Sequence, residues 1–140
     1  PAEVVREGPA RVLLGQYGSA RSPIPAPSNM NYLSVQLKDG ERWCYTPPEG
    51  HEIAWVAVAA GQLDAGGSIE AGELAIFEES NQTIDFLAQG ETSFVLGSAV
   101  MHPHDLVMGH YSVHTSKAAL AQGEAEIQRI GAQLRLEGRL

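Results

Sequence analysis

Residues 53–80 read IAWVAVAAGQLDAGGSIEAGELAIFEES, and this stretch decides the fold class. Short apolar runs occur at 53–61, 62–65 and 73–78, and GGS and EAGE between the second and third runs are typical of turns with positive φ. The run at 53–61 is apolar on both of its faces, which predicts a strand in the middle of two layers. Strands this short and this evenly spaced indicate a β-sandwich or a small barrel.

The same rhythm extends from this stretch in both directions. The Pro/Ser-rich segment RSPIPAPSN cannot be helical, and KDG and AQGE supply further turns. Additional strands are predicted at 11–18, 32–37, 41–46, 83–88 and 93–98. The sequence therefore predicts an all-β barrel domain over residues 1–114.

From Thr115 the pattern changes, because TSKAALAQGEAEIQRIGAQLRLEG is rich in good helix formers. Either Thr115 or Ser116 can serve as the N-cap. Gly123 and Gly131 each weaken the helix by about 1 kcal/mol relative to alanine. We expect residues 115–140 to form a C-terminal helical segment that packs on the barrel or on a partner domain. Its apolar stripe consists of Leu120, Ile127, Ile130 and Leu134.

Composition excludes several classes of function. The net charge of −8 over 140 residues argues against direct nucleic-acid binding, because an acidic surface repels phosphate. No apolar run approaches the roughly 18 residues of a membrane span, and no signal peptide is visible. Cys44 is the single cysteine, which excludes an internal disulfide and a zinc site built from several thiolates. We expect a cytoplasmic protein.

Four of the five histidines fall within residues 101–116, MHPHDLVMGHYSVHTS. His102 and His104 have the alternating spacing of metal ligands on a strand. Pro103 between them favours a loop, in which they would be solvated or would contact a partner domain. His110 and His114 would stand about 13 Å apart on a strand, too far to share one ion. His114 directly precedes the helix start, which favours a structural role there.

The fifth histidine and the cysteine allow two interpretations each. His51 stands near the barrel mouth, where it either contacts a ligand or hydrogen-bonds its neighbours in a turn. Cys44 is either a small buried hydrophobe or a thiol activated by His51. The aromatic residues are most simply core residues, although a hollow barrel lined by them could hold a small apolar molecule. They are Trp43, Tyr45, Trp55 and Phe77.

Three segments together resemble the C-terminal cupin half of the pirin family. They are ARVLLGQYGSARSPI, then YLSVQLKDGERWCYTPPEGHEIAWVAVAAGQLDAGGSIEAGELAIFEES, then SFVLGS. The ending YSVHTSKAALAQGEAEI is similar to the VMNT-type strand that runs into the final helix of that family, although only Thr115 of the VMNT segment matches. The resemblance implies a cupin-type double-stranded β-helix, a jelly-roll barrel, followed by a C-terminal α-helix.

The resemblance also implies a two-barrel parent chain. In pirins the N-terminal barrel holds iron with three histidines and a glutamate, and several members are flavonol (quercetin-type) dioxygenases, whereas others are nuclear cofactors of transcription factors. The C-terminal barrel is generally metal-free. In this chain Pro47 and Glu49 stand where the first two histidines would be, and Asp85 and Leu87 stand where the third histidine and the glutamate would be.

We therefore expect no catalytic, cofactor-binding or metal-binding residue in this domain. The expected role is that of a metal-free structural and docking half for a metal-bearing N-terminal cupin. That cupin is the expected partner, with a homodimer in its absence, and iron or another divalent metal is implied only for it. The alternatives are a metal-dependent flavonol dioxygenase that uses His102 and His104, and a small-molecule-binding module.

Overall fold

The computed structural model describes residues 4–26 and 28–139. By their internal contacts the residues divide into two compact units, Pro1–Met101 and His102–Leu140. The first is a β-structure, and the second contains a short hairpin and the one helix of the described residues. The predicted order, an all-β domain followed by a C-terminal helix, is confirmed. No helix in the described residues combines the length and apolarity needed to cross a membrane.

Eight strands of the first unit form one sheet, in which the order β1-β2-β5-β10-β7-β8 is extended by β6 on β10 and by β9 on β7. A separate pair, β3 and β4, completes the unit. The strands are β1 (Arg6–Glu7), β2 (Ala10–Leu14), β3 (Gln16–Tyr17), β4 (Ala20–Arg21), β5 (Met30–Leu37), β6 (Arg42–Tyr45), β7 (Ile53–Asp64), β8 (Ser68–Glu70), β9 (Leu74–Ile76) and β10 (Ile84–Ala99).

Two long strands replace pairs of short strands that the sequence predicts. The runs at 53–61 and 62–65 form the single strand β7, and the runs at 83–88 and 93–98 form β10. The expected turn at AQGE is instead an irregularity in the pairing of β10 with β7, between Gln89 and Ser93. Gly61 and Gly90 adopt positive φ values of 76° and 79° there. These glycines let each strand bend without ending, because a residue without Cβ reaches such angles at little cost.

The core lies inside the curled sheet. Alternate residues of the strands point inward and join one cluster, so the sheet encloses its own apolar face. Aromatic rings fill the centre, and Trp43 packs on Phe86 and Phe94 at centroid distances of 5.7 and 6.1 Å. The prediction that Trp43 and Tyr45 are core residues is confirmed by exposures of 7% and 0%, and Phe77 packs against the same cluster. The prediction is wrong for Trp55, which is half-buried on the other side of the sheet because it alternates with the inward-facing Ala54 and Val56.

The second unit contains β11 (Val107–Met108), β12 (Val113–His114) and α1 (Lys117–Leu136). Ser116 is the N-cap of α1, and its side chain accepts a hydrogen bond from the Ala119 amide at 3.1 Å. Residues 107–114 form a hairpin rather than the continuous strand considered for His110 and His114. The His114 ring lies against Gly123, where a Cβ atom would come within 2.6 Å of it. Gly123 therefore weakens the helix in favour of this close contact.

Candidate functional site

A buried polar cluster lies at one end of the barrel, beyond the aromatic core. It consists of Asn31 on β5, Tyr45 at the end of β6, His51 just before β7, and Ser98 on β10. Asn31 and Ser98 are direct cross-strand partners, and both point inward. The four side chains are at most 5% exposed, and His51 and Tyr45 are fully buried. We call these four residues the mouth cluster.

A tight turn brings His51 into this cluster. Pro47 and Pro48 end β6, since proline cannot donate to a strand ladder. Gly50 then adopts a φ of 81°, and the His51 amide donates to the Pro48 carbonyl at 3.0 Å. The turn directs the imidazole into the protein. The His51 backbone is bonded within the turn, whereas its ring is bonded to the distant Ser98.

The hydrogen bonds of the mouth cluster form one continuous chain from Gln16 to His51. The Gln16 amide donates to Asn31 Oδ1 at 2.9 Å, which leaves Asn31 Nδ2 to donate to the Tyr45 hydroxyl at 3.0 Å. Tyr45 and Ser98 oxygens are 2.7 Å apart, and Ser98 Oγ is 2.8 Å from His51 Nδ1. Because Tyr45 accepts from Asn31, its own proton is available to Ser98, and Ser98 links Tyr45 to His51.

The other ring nitrogen of His51, Nε2, is buried and has no hydrogen-bond partner among residues 4–26 and 28–139. Burial lowers the pKa of His51, because desolvation disfavours the imidazolium. Burial likewise raises the pKa of Tyr45, against the opposing effect of its hydrogen bonds to Ser98 and Asn31. The cluster is therefore neutral near pH 7.

A cleft of about 890 Å³ opens beside the cluster. Two of the residues that line the cleft connect it to the mouth cluster: Asn31 is a member of the cluster, and Pro48 belongs to the turn that holds His51. The remaining wall comes mainly from the loop after β4 and includes Ser22, which is itself held by a 2.7 Å hydrogen bond to the Leu13 carbonyl. Among the described lining residues Arg21 is the only charged one, and its guanidinium donates to Gln16 Oε1 at 2.6 Å.

The donor set inside this barrel does not fit a metal ion. Within residues 4–26 and 28–139, no three His, Cys, Asp or Glu side chains lie close enough together to hold one. Pro47 is buried and Glu49 is exposed. Asp85 is exposed and Leu87 is half-buried, since both alternate with the inward-facing Phe86 and Ala88. No step of a reaction is therefore assigned to a metal in this barrel.

The histidines of the second unit lie apart from any such set. His102 and His104 are in an exposed loop, with ring centroids 5.2 Å apart, and His102 Nδ1 lies 3.0 Å from the His104 carbonyl. His110 stacks edge-on against Tyr111 in the hairpin turn. His114 Nε2 is bonded to Ser112 Oγ at 2.9 Å.

Both interpretations of Cys44 are wrong. The residue is exposed rather than buried, because it alternates with the inward-facing Trp43 and Tyr45. Its thiol donates to Asp85 Oδ1 at 2.7 Å and faces away from the interior in which His51 lies. The hydrogen bond to Asp85 raises the pKa of Cys44, with smaller contributions of the same sign from desolvation and from the negative charge of Asp85.

Comparisons with solved structures identify the architecture. Two crystal structures of quercetin 2,3-dioxygenase from Acinetobacter baumannii match 86% and 95% of this chain, with TM-scores of 0.78 and 0.75 and sequence identities of 21% and 14%. The chain covers 42% and 44% of those proteins, which is less than half of their length.

A third match is the cupin_2 domain of an XRE family transcriptional regulator from Enterobacter cloacae. The match covers 66% of this chain and 96% of that domain, with a TM-score of 0.52 and 15% sequence identity. No protein-family model and no curated protein matches the sequence. Identities this low establish architecture alone. The strand order, the enclosed core and these matches together show that the chain has the cupin fold.

Proposed function

We propose that this chain is a metal-free cupin domain, similar to the C-terminal half of a pirin-like two-barrel protein, and that it supports and docks a metal-bearing partner barrel. The observation that carries the proposal is the chemistry of the barrel interior. Among the inward-facing side chains that the structure describes, His51 alone is of a type that binds metals readily, and its Nδ1 is already engaged with Ser98. A single imidazole does not make a stable site, which requires three or four ligands.

The length of the matching dioxygenases supports the two-barrel part of the proposal. More than half of each of those proteins lies outside the match. The unmatched part is large enough for a second barrel of similar size. In the proposed parent that barrel holds iron or another divalent metal and carries out quercetin 2,3-dioxygenase-like chemistry in the cytoplasm.

The helix α1 offers a surface for such a partner. Ile127 and Ile130 of its apolar stripe are 54% and 43% exposed. Burying apolar surface stabilises an assembly by roughly 25 cal/mol per Å², so covering this stripe favours docking.

The dioxygenase alternative for this chain itself has less support. His102 and His104 are close to each other, but no third donor completes a set in the described residues. A small-molecule-binding role is favoured by one observation, the cleft of about 890 Å³, whose size falls within the range of roughly 300–1,000 Å³ for ligand pockets.

Metal analysis of the purified chain tests the central claim. We expect less than about 0.1 equivalent of iron, nickel, copper or zinc per chain, and no change in melting temperature when each metal is added in excess. Stoichiometric metal that is lost in His51→Gln or in His104→Ala would overturn the proposal. The two variants distinguish a site in the barrel from a site in the loop.

The docking claim has a separate test. The coding region upstream of Pro1 is sequenced, and any in-frame barrel found there is co-expressed with this chain. We expect a complex that is weakened at least 10-fold by Ile127→Asp. The absence of an upstream barrel, or a complex that is insensitive to this change, would refute the docking role.

A further inference from the structure

The cleft beside the mouth cluster carries chemistry that the docking role leaves unused. Its volume of about 890 Å³ is sufficient for a small organic molecule. Among the described lining residues Arg21, on β4, is positively charged, and none is acidic. This local charge is opposite in sign to the net charge of −8 of the chain as a whole. The cleft therefore favours an anion over a cation.

Gln16 holds the guanidinium of Arg21 in place. The Gln16 side chain is fixed at both of its polar atoms, because Nε2 donates to the Gly18 carbonyl at 3.1 Å and Oε1 accepts from Arg21 Nη2 at 2.6 Å. Arg21 forms no ion pair within residues 4–26 and 28–139. Glu7, which lies against Gly18, instead accepts a hydrogen bond from Ser19 Oγ at 2.7 Å. The guanidinium donors that Gln16 does not use thus remain for a ligand, and their planar arrangement matches a carboxylate.

Asn31 supplies a second donor, at the most deeply buried point of the lining. Its exposure of 5% is the lowest among the lining residues that the structure describes. One N–H of its Nδ2 donates to Tyr45, and the other has no partner in residues 4–26 and 28–139. Gln16 connects this donor to the cation, because its amide donates to Asn31 Oδ1 while its side chain holds Arg21. An amide with a spare N–H and a guanidinium, both fixed by one residue, are polar groups of the kind that orient a ligand in a pocket.

Residues 23–25, Pro-Ile-Pro, give the cleft an apolar wall. Proline has no N–H to donate, and Ile24 is 55% exposed, so this wall offers apolar surface to a ligand. Ser22 anchors the wall, since its amide donates to the Gly15 carbonyl at 2.9 Å and its hydroxyl donates to the Leu13 carbonyl at 2.7 Å. A wall that is already held in position binds an apolar group at a lower cost in ordering.

We propose that the cleft binds a small organic carboxylate, with the carboxylate oxygens toward Arg21 and Asn31 and an apolar body against residues 23–25. Inorganic phosphate has no apolar part to cover this wall, and Arg21 repels an amine. The proposal gives a ligand class to the small-molecule-binding role named above and rests on that role. It requires neither a metal nor a partner barrel, so the docking role can fail while this site binds its ligand.

Titration of the full chain with benzoate, followed by ¹H–¹⁵N correlation NMR at pH 7, tests the site. We expect saturable shifts with a dissociation constant of about 1 mM, because a ligand this small makes few contacts. The largest shifts should fall on the side-chain amide of Asn31 and on the backbone amides of Gly15 and Gly18. Shifts that do not saturate by about 20 mM, or saturable shifts confined to the histidine-rich residues 101–116, would overturn the proposal.

Three related probes separate the contributions of the charge and of the apolar body. Benzamide has nearly the shape of benzoate but no charge, acetate has the charge but no ring, and inorganic phosphate is an anion of another class. We expect each of the three to bind at least about 10-fold more weakly than benzoate. If benzamide, acetate or phosphate binds as tightly as benzoate, the assignment to an organic carboxylate with an apolar body is wrong.

Arg21→Gln tests the cation directly. We expect it to raise the dissociation constant of benzoate at least about 10-fold, because it removes the only charge of the described lining. The matched control is Arg42→Gln, which removes the same charge from an exposed position of β6 outside the described lining and should change the constant less than about 2-fold. Unchanged affinity in Arg21→Gln, or equal weakening in both variants, would refute the site. Circular dichroism verifies that both variants are folded, and the probe series above requires no variant.

Discussion

Replacing Ser98 by alanine tests the hydrogen-bond chain of the mouth cluster. Ser98 Oγ lies 2.7 Å from the Tyr45 hydroxyl and 2.8 Å from His51 Nδ1, and it is hydrogen-bonded to both. The substitution removes both bonds and leaves a buried hydroxyl and a buried ring nitrogen unpaired. Each buried group without a partner costs about 1–3 kcal/mol. We expect Ser98→Ala to lower the free energy of unfolding by about 2–5 kcal/mol.

A double-mutant cycle with Tyr45→Phe makes the reasoning quantitative. Tyr45→Phe leaves one group unpaired, Asn31 Nδ2, whereas Ser98→Ala leaves two. If the two effects were independent, the double variant would have the cost of three unpaired groups. It leaves only two groups unpaired, Asn31 Nδ2 and His51 Nδ1. The double variant should therefore be about 1–3 kcal/mol more stable than the sum of the single effects predicts.

Urea unfolding followed by the fluorescence of Trp43 and Trp55 measures these differences at one fixed protein concentration. With a slope of about 2 kcal/mol per M, Ser98→Ala should move the midpoint by about 1–2.5 M. Ser93→Ala, on the outer side of the same strand, is the control and should stay within about 0.5 kcal/mol. Loss of less than 0.5 kcal/mol in Ser98→Ala, or strict additivity with Tyr45→Phe, would refute the hydrogen-bond chain.

Three other changes follow from the same structure. Burial lowers the pKa of His51, so as the pH falls this histidine is protonated in the unfolded chain before it is protonated in the folded one. The urea midpoint should therefore be constant above pH 6.5 and decrease below it, and His51→Gln should remove this part of the decrease. Because Asp85 raises the pKa of Cys44, Asp85→Asn should speed thiol labelling at pH 8 several-fold, and an unchanged rate would contradict the pairing. Gly131→Ala should stabilise the helix by about 1 kcal/mol, because a Cβ atom at that position meets nothing within 4 Å. Gly123→Ala should not stabilise it, because a Cβ atom there would collide with the ring of His114. Thermal melts followed by circular dichroism at 222 nm measure both effects.

Much of the fold can be predicted from alternation along the strands. On β5, Asn31 shares the inward face with Leu33 and Val35, because alternate residues of a strand point to the same side. On β10, Ser98 shares the inward face with Phe94 and Leu96 for the same reason. The same argument applied to β6 places Cys44 outside, which is where the structure has it. The apolar runs and the capping serine located the strands and the helix because their signals are local.

What could not be predicted depends on contacts between distant residues or on backbone angles. His51 lies before β7, so strand alternation does not apply to it, and its burial depends on the turn at Gly50 and on Ser98, 47 residues away. The AQGE segment has the composition of a turn, but pairing with β7 continues the strand through it. Tertiary pairing thus overrides local turn propensity at Gly90.

Strand β10 has a consequence for how this protein is made. Its 16 residues pair with β5, β6 and β7, so both sides of the barrel are joined through this one strand. Until Ala99 has emerged from the ribosome, β10 is incomplete, so β5, β6 and β7 lack the strand with which all three of them pair. Their edges remain open for most of the time during which the barrel is synthesised, and such edges pair readily with other chains. Chaperone dependence and aggregation should therefore be greatest for translation products that stop between residues 64 and 99.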